Sequence, residues 1–261
     1  MGQTIIEKII QTHSDEQVEA GRIVWMGLDA RTARDFGGAN VVKNYRKHYG
    51  DASVDDPAKT FFTFDLVTPA NNIPYAINQQ ICRDWAKTQQ VKVFDVDMGI
   101  GSHVAIEYGL TWPGSTFVGT DSHLNILGAI GAFGQGMGDQ DIAFAFKAGK
   151  TWFEVPHTMK VTIKGKLEPP CTAKDLTLAC VGRLGAGSAL GDAVYAREER
   201  AGLAATLPIC VSSTPCLVNS LSRWRALTPL TSNTHRVLDS EKSWATGLSL
   251  PRGPVSTSAP S

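Results

Sequence analysis

Short apolar runs and amphipathic stretches alternate along the first 200 residues. Apolar runs bounded by turn residues predict strands, and apolar positions that recur every three or four residues predict helices. Strands are predicted at residues 22–28, 60–64, 91–96, 115–119 and 159–163. Helices are predicted at residues 5–10, 74–88, 141–147 and 174–181. Strands separated by helices predict a layered α/β domain with a largely parallel sheet.

The pattern changes near residue 200. Residues 201–261 contain 11 Ser, 7 Thr and 6 of the 13 prolines, and their apolar positions show no sustained period of 3.6 or 2. They carry five basic and two acidic side chains, so this segment is net positive. We therefore predict an α/β region over residues 1–200 and an irregular, flexible tail over residues 201–261.

Polar side chains follow three of the predicted strands, at the point where each strand ends. The carboxylates are Asp65, Asp97 and Asp121, and a serine–histidine pair comes after two of them, at Ser102-His103 and Ser122-His123. A single aspartate in such a place is commonly a helix cap or a turn residue. Three in one sheet favour a binding site, because parallel sheets bind ligands beyond the C-terminal ends of their strands.

The run Asp121-Ser122-His123 does not fit a hydrolase triad. Three adjacent residues do not stack as nucleophile, base and orienting acid, and no Gly-x-Ser-x-Gly surrounds Ser122. The run fits a pocket for an organic carboxylate, in which the serine hydroxyl and loop amides donate to the anion and an Asp–His pair moves protons. The alternative for His123 is a structural, hydrogen-bonded histidine.

Glycines are dense just after this run, with five between Gly128 and Gly138. Interior helix glycines cost about 0.5–1 kcal/mol each relative to alanine, so this density predicts close backbone approach or a loop that cradles a ligand. A nucleotide-binding α/β protein is the alternative. It is disfavoured because neither an ordered G-x-G-x-x-G nor a Gly-Lys-Ser/Thr loop is present.

An ordered series of motifs resembles the aconitase superfamily. Pro-Gly-Ser-Thr-Phe-Val-Gly-Thr-Asp-Ser-His at 113–123 precedes Gly-Ala-Ile-Gly-Ala at 128–132 and Gly-Met-Gly-Asp at 136–139. Further matches bring the resemblance to roughly residues 3–196, and it is strongest to the branch of 3-isopropylmalate dehydratase large subunits and homoaconitases. It implies a three-layer α/β/α domain, incomplete within residues 1–200, followed by a disordered or non-native tail.

The resemblance also implies an activity: hydro-lyase or isomerase chemistry on a hydroxy di- or tricarboxylic acid, as in leucine biosynthesis, with a [4Fe-4S] cluster acting as Lewis acid. It implies a separate small subunit carrying the family's swivel domain. Carried over by position, the catalytic residues are Asp65, His103, Asp121 and His123, and the substrate-binding residues are Asn40 and Ser122.

Several positions depart from the family pattern. Leu66 and Ser102 stand where the family usually has histidines, so His103 would act only if its loop shifts, and Leu124 replaces a threonine. The family's cluster cysteines lie beyond the matched region, so no metal ligand is assigned. We expect a truncated chain that is inactive alone. The alternative is a non-catalytic fragment that binds carboxylates or a partner.

Charge and cysteine content limit the expected partners and cellular location of the protein. The 25 Lys and Arg balance 25 Asp and Glu, which removes the basic footprint of a nucleic-acid-binding protein. No apolar run reaches 18 residues, and the N-terminus has no signal-peptide pattern. Five cysteines without a C-x-x-C pair argue against a disulfide framework. We therefore expect a cytoplasmic protein with no nucleic-acid or membrane partner.

Overall fold

The computed structural model describes residues 2–164, 168–185, 192–200, 203–211 and 236–237. Its helices are α1 Ile5–Gln11, α2 Asp35–Tyr49, α3 Ile73–Gln89, α4 Gly101–Glu107, α5 Asp139–Ala148 and α6 Ala173–Leu184, with 3-10 helices at Pro57–Lys59 and Leu124–Ile130. Its strands are β1 Ile23–Gly27, β2 Ala30–Arg34, β3 Thr60–Thr63, β4 Lys92–Phe94, β5 Thr116–Gly119, β6 Phe133–Gly136, β7 Lys150–Glu154, β8 Thr158–Lys164, β9 Ala193–Arg200, β10 Leu203–Val211 and β11 Arg236–Val237.

A five-stranded parallel sheet forms the centre of this fold, in the order β4-β3-β2-β5-β6. From β2 the chain builds outward through β3 and β4 on one side. It then returns to add β5 and β6 on the other side. The strand order therefore reverses between β2 and β5, and the crevice at such a reversal is where open α/β sheets bind ligands.

Adjacent residues of one strand face opposite layers, because side chains alternate across a sheet. Phe62 and Val118 belong to the apolar cluster formed with α2, α3 and α5. Their neighbours Phe61 and Phe117 belong to a second cluster, formed with α4 and the 3-10 helix Leu124–Ile130. The predicted three-layer α/β/α architecture with a mostly parallel sheet is confirmed.

The first predicted strand is wrong in its placement. Residues 22–28 do contain β1, but β1 pairs antiparallel with β7 in a separate two-stranded ribbon. Its residues alternate between exposed and buried, with Val24 and Met26 buried. That alternation is typical of an antiparallel strand with one face in solvent. The sequence patterns also missed β2, β6, β7, α2 and α4.

Part of the glycine-rich run belongs to the sheet. Its residues 133–136 form β6, and Gly134 and Gly136 lie against the backbone that follows β5. A Cβ added at Gly136 would lie 2.6 Å from the carbonyl oxygen of Asp121, and one added at Gly134 would clash with the carbonyl of Leu124. Close backbone approach, one of the two predictions for this run, explains these two glycines.

The region predicted as an irregular tail begins with a strand. β10 pairs antiparallel with β9, so residues 203–211 are regular where no period was recognised. Hydrogen-bonded pairing with a neighbouring strand supplies order that residue spacing alone did not indicate. Apart from β11, the remainder of residues 212–261 lies outside the described residues. Across the described segments, no helix has the length and apolar character needed to span a bilayer.

Candidate functional site

An arginine at the end of β2 joins two of the carboxylates predicted from the strand ends. Arg34 Nε donates to Asp65 Oδ1 at 2.6 Å, and Arg34 Nη1 donates to Asp121 Oδ1 at 2.9 Å. The side chains of Asp65 and Asp121 are only 1% and 5% exposed. These residues lie where β2, β3 and β5 end, at the reversal of strand order. We call this group the Arg34 corner.

Asp65 is held on both oxygens. Its Oδ2 accepts the N–H of Gly101 at 2.6 Å, which ties the first turn of α4 to the Arg34 corner. Burial raises the pKa of Asp65, and the hydrogen bond from Gly101 and the charge of Arg34 only partly oppose it. Burial would lower the pKa of Arg34, but its two carboxylate partners outweigh that effect and raise it.

The Asp121-Ser122-His123 segment places a histidine at the surface of the corner. Asp121 Oδ1 accepts the backbone N–H of His123 at 2.9 Å. The Nδ1 atom of His123 lies 3.4 Å from Asp121 Oδ1 and 3.3 Å from Ser122 Oγ. The His123 side chain is 71% exposed. A buried carboxylate thus orients an imidazole that remains accessible to a ligand.

A second aspartate shapes the loop after β3. Asp35 is fully buried at the start of α2. Its carboxylate accepts the backbone N–H groups of Asp65, Leu66 and Val67 at 3.2–3.4 Å and the side-chain amide of Gln79 at 3.2 Å. Asp35 therefore fixes the backbone that carries Asp65, while the Leu66 side chain stays 49% exposed.

Other predicted residues are not joined to the corner. Asn40 and His103 are exposed, on α2 and on the first turn of α4, and within the described part of the chain no hydrogen bond or ion pair links either to Asp65 or Asp121. Asp97 is also exposed. The structure thus unites Asp65, Asp121, Ser122 and His123, and leaves Asn40 and His103 outside that network.

The carboxylate that ends β4 has a separate partner. Asp95 makes two 2.6 Å hydrogen bonds with Arg83, one on each oxygen. The hydrogen bonds from Arg83 lower the pKa of Asp95. This bidentate pair occupies Asp95 fully, so it does not contribute a free carboxylate to the Arg34 corner.

Sequence reasoning passed over Arg34 and Asp35. Both lie within Arg34-Asp35-Phe-Gly-Gly-Ala-Asn40, where the resemblance predicts a role for the asparagine alone. The signal available was a charged pair that directly follows Ala30-Arg-Thr-Ala33, but these small and polar residues do not read as a strand. With β2 unrecognised, Arg34 had no place at a strand end.

The described cysteines do not form a site for an iron–sulfur cluster. Cys82 and Cys180 are buried in separate helices and Cys171 is exposed, and no described group of three or more His, Cys, Asp or Glu is arranged to hold a metal ion. Burial raises the pKa of Cys82 to about 12, which disfavours the thiolate that ligation requires. The side chains of Cys210 and Cys216 lie outside the described residues.

A sequence profile of the aconitase family (aconitate hydratase) matches residues 7–196, which cover most of the chain. This match includes the parallel sheet, the Arg34 corner and the Asp121-Ser122-His123 segment. The chain belongs to the aconitase family.

The curated relatives described below are large subunits by name. The chain is 35% identical over 214 residues to 3-isopropylmalate dehydratase large subunit 1 of Archaeoglobus fulgidus, which covers 80% of this chain and 51% of that protein. It is 40% identical over 181 residues to the homoaconitase large subunit of Thermus thermophilus, covering 69% and 43%. The chain thus spans about half the length of the curated relatives it matches.

One solved structure, Thermococcus kodakaraensis aconitase X in its holo-form, aligns with a TM-score of 0.42 at 13% identity. The alignment covers 76% of this chain and 52% of that chain. A similarity at this level carries no inference about chemistry.

Proposed function

We propose that this chain provides substrate-binding and proton-transferring residues of an aconitase-type hydro-lyase that acts on a hydroxy di- or tricarboxylic acid. The family and the large-subunit relatives support a substrate of the 3-isopropylmalate type. The observation that carries the proposal is the Arg34 corner, which places Asp65 and Asp121 together at the reversal of strand order and leaves His123 accessible.

The corner supplies proton-handling groups more readily than positive charge. Asp65 and Asp121 share the single guanidinium of Arg34, and Asp35 is a further nearby carboxylate, so carboxylates outnumber the cation. Helices α2 and α5 begin at this edge, and neither has a hydrogen bond from its N-cap side chain. Their first turns carry Asp35, Asp139 and Asp141, which add further negative charge. In this arrangement Ser122 donates to the acid, and His123 exchanges a proton with it.

Two further components are proposed from the family. Membership implies a [4Fe-4S] cluster, whose Lewis acidity would assist departure of the hydroxyl group. The described residues do not fit that cluster, so no step is assigned to it.

The relatives' designation as large subunits supports a separate small subunit as partner. Exposed Phe36, Leu66 and Ile100 adjoin residues of the corner, and a partner's cover would bury them.

A second candidate is a non-catalytic carboxylate-binding or partner-binding protein. The exposed Leu66 side chain favours it, because leucine neither donates nor accepts a proton at a position beside Asp65. The two candidates share the binding step and differ in whether a C–H bond of the acid is broken.

Binding is tested by proton NMR of the histidine rings during titration with 3-isopropylmalate, citrate, lactate and sulfate at constant ionic strength. The di- and tricarboxylic acids should shift the His123 signals saturably, and lactate and sulfate should not. Ser122→Ala should weaken binding about threefold or more, as expected for loss of one hydrogen bond to a charged group. Equal shifts with sulfate, or none with any acid, would reject the proposal.

His48→Gln is the matched control. His48 lies in the last turn of α2, about 20 Å along the helix from Asp35. This variant should bind the acids as the unaltered chain does. The same samples in D₂O separate the candidates: loss of the acid's C–H signal beside its carboxylate, abolished by His123→Gln, supports proton transfer. Binding without exchange, also after addition of a small subunit and anaerobic reconstitution with iron and sulfide, supports the second candidate.

A further inference from the structure

The ribbon of β1 and β7 carries an exposed aromatic pair. Trp25 lies directly opposite Trp152 across the two strands. Trp25 is 44% exposed and Trp152 is 49% exposed, and Ile23 on the same face is 62% exposed. Two large aromatic side chains in contact with solvent on a two-stranded ribbon mark a candidate interaction surface.

The outer edge of β1 is closed by the chain itself. The N–H of Trp25 donates to Glu16 Oε1 at 2.8 Å, and the N–H of Gly27 donates to the carbonyl of His13 at 2.8 Å. These are the donors that point away from β7. Another strand could not pair there without breaking both bonds, so β1 is not an available edge.

The outer edge of β7 is open. The bond from the Leu28 N–H to the Gly149 carbonyl, 2.9 Å, marks these two residues as a hydrogen-bonded pair. Since such pairs alternate along an antiparallel ladder, Lys150, Trp152 and Glu154 direct their N–H and C=O groups away from β1. Among the described strands, only β1 pairs with β7. β7 therefore offers an edge five residues long that no other described strand covers. Its Trp152 carbonyl accepts the hydroxyl of Thr151 at 3.3 Å, a contact within β7 itself.

We propose that two copies of this chain associate through their β7 edges, paired antiparallel about a two-fold axis at Trp152. In that register Trp152 faces Trp152 of the second copy, and Lys150 faces Glu154 of the second copy on both sides of the axis. The edge is thus complementary to itself in charge, which is the requirement of an isologous interface. The result is a continuous sheet β1-β7-β7-β1 with a strip of four tryptophans.

Other pairings of this edge are less favourable. A parallel arrangement in register places Lys150 against Lys150 and Glu154 against Glu154, and like charges directly opposite each other are destabilising. Pro156, two residues beyond Glu154, has no N–H to donate, so the edge cannot lengthen in that direction. A charged strand end also opposes pairing with apolar peptides. A second copy in the two-fold register matches the Lys150-Trp152-Glu154 face at each of its three positions.

The expected association is weak. Five paired residues and two tryptophans bury less than the about 1,200–2,000 Å² of stable interfaces. We expect a dissociation constant on the order of 10⁻⁵ M, at the weak end of specific association. The proposal concerns a surface separate from the Arg34 corner, and it stands or falls independently of the proposed function.

Sedimentation velocity of the full chain from about 1 to 300 µM tests the proposal, because that range brackets the expected constant. The weight-average mass should rise from that of one chain, 28.1 kDa, toward twice that value. Lys150→Glu alone and Glu154→Lys alone should each weaken association about tenfold or more, since each puts like charges opposite each other twice.

The double variant Lys150→Glu/Glu154→Lys is the decisive control. It restores opposite charges at both pairs only in the two-fold antiparallel register, so it should recover association. A folding defect would not be rescued in this way, and thermal unfolding by circular dichroism verifies that each variant is folded. A mass of one chain at every concentration, or association unaffected by the single reversals, would overturn the proposal.

Discussion

Strand β2 carries an arginine near each end, and the two are buried in opposite ways. At the N-terminal end the Arg31 side chain is 0% exposed, while its partner Asp55, 2.9 Å away, is 45% exposed. At the C-terminal end Arg34 is 16% exposed, and its partners Asp65 and Asp121 are 1% and 5% exposed. One end buries the cation and the other buries the anions.

This difference separates a structural anchor from the candidate site. Arg31 stabilises the sheet by pairing with Asp55, a carboxylate that stays partly hydrated. Burial lowers the pKa of Arg31, and the charges of Asp55 and Asp56 only partly oppose this effect. Arg34 instead keeps two buried carboxylates together, although burial raises the pKa of Asp65. Perturbed groups held at such a cost are typical of functional sites.

The largest effect is expected from Arg34→Met. It leaves Asp65 and Asp121 buried without their cation, so the free energy of unfolding in urea should fall by about 3–5 kcal/mol. Arg34→Lys should recover only part of this loss, because one ammonium does not reproduce the fork that reaches both carboxylates. A loss below about 1 kcal/mol would show that the carboxylates do not depend on Arg34.

Arg31→Met should have a much smaller effect. The exposed Asp55 can be hydrated when its partner is lost. Thr60 Oγ1 and the Asp56 carbonyl, which also accept from Arg31, keep the hydrogen bond that they make with each other. Replacing a buried ion by a well-packed apolar side chain is often close to neutral, so we expect a loss of about 1 kcal/mol or less in the same urea titration. Equal losses for Arg31→Met and Arg34→Met would contradict the distinction between the two ends.

The smallest effect is expected in the pH dependence of stability. We compare wild type with Asp65→Asn from pH 7 to pH 3 and take the difference between their free energies of unfolding, wild type minus variant. Because the folded-state pKa of Asp65 is raised, the folded chain binds a proton at higher pH than the unfolded chain. The difference should therefore rise as pH falls through the raised pKa, and level off below the ordinary value of 3.8.

Asp95→Asn supplies the opposite sign. Arg83 lowers the pKa of Asp95, so its stabilisation is present above the ordinary value of 3.8 and is lost as pH falls through the lowered pKa. Both side chains of that pair are about one-third exposed, and the change should be small. The same slope for both variants would mean that burial does not govern Asp65.

The sequence predicted those parts of the fold that bury large apolar side chains. Phe61-Phe62 in β3 and Phe117-Val118 in β5 each provide residues to both layers, and such runs are recognisable without a structure. β2 was not recognisable, because its core contacts come from Ala30 and Ala33 between two neighbouring strands. The other buried residues of this central strand, Arg31 and Thr32, are polar, so the strand does not read as an apolar run.

The candidate site was predictable in part for a related reason. Asp65, Asp121 and His123 follow recognisable strands, so their convergence could be expected. Arg34 meets its partners 31 and 87 positions later in the chain, and no local pattern encodes that meeting. The predicted roles of Asn40 and His103 stay predictions, since they rest on position in the family pattern rather than on contacts.

The attachment of the loop after β3 has an evolutionary consequence. Asp35 binds this loop through its main-chain N–H groups alone. The backbone conformation of the loop therefore does not depend on which side chain is present at Leu66. A substitution at Leu66 can therefore change the chemical group beside Asp65 while the backbone of the loop stays the same. Change of one codon is then sufficient to place a different functional group next to Asp65.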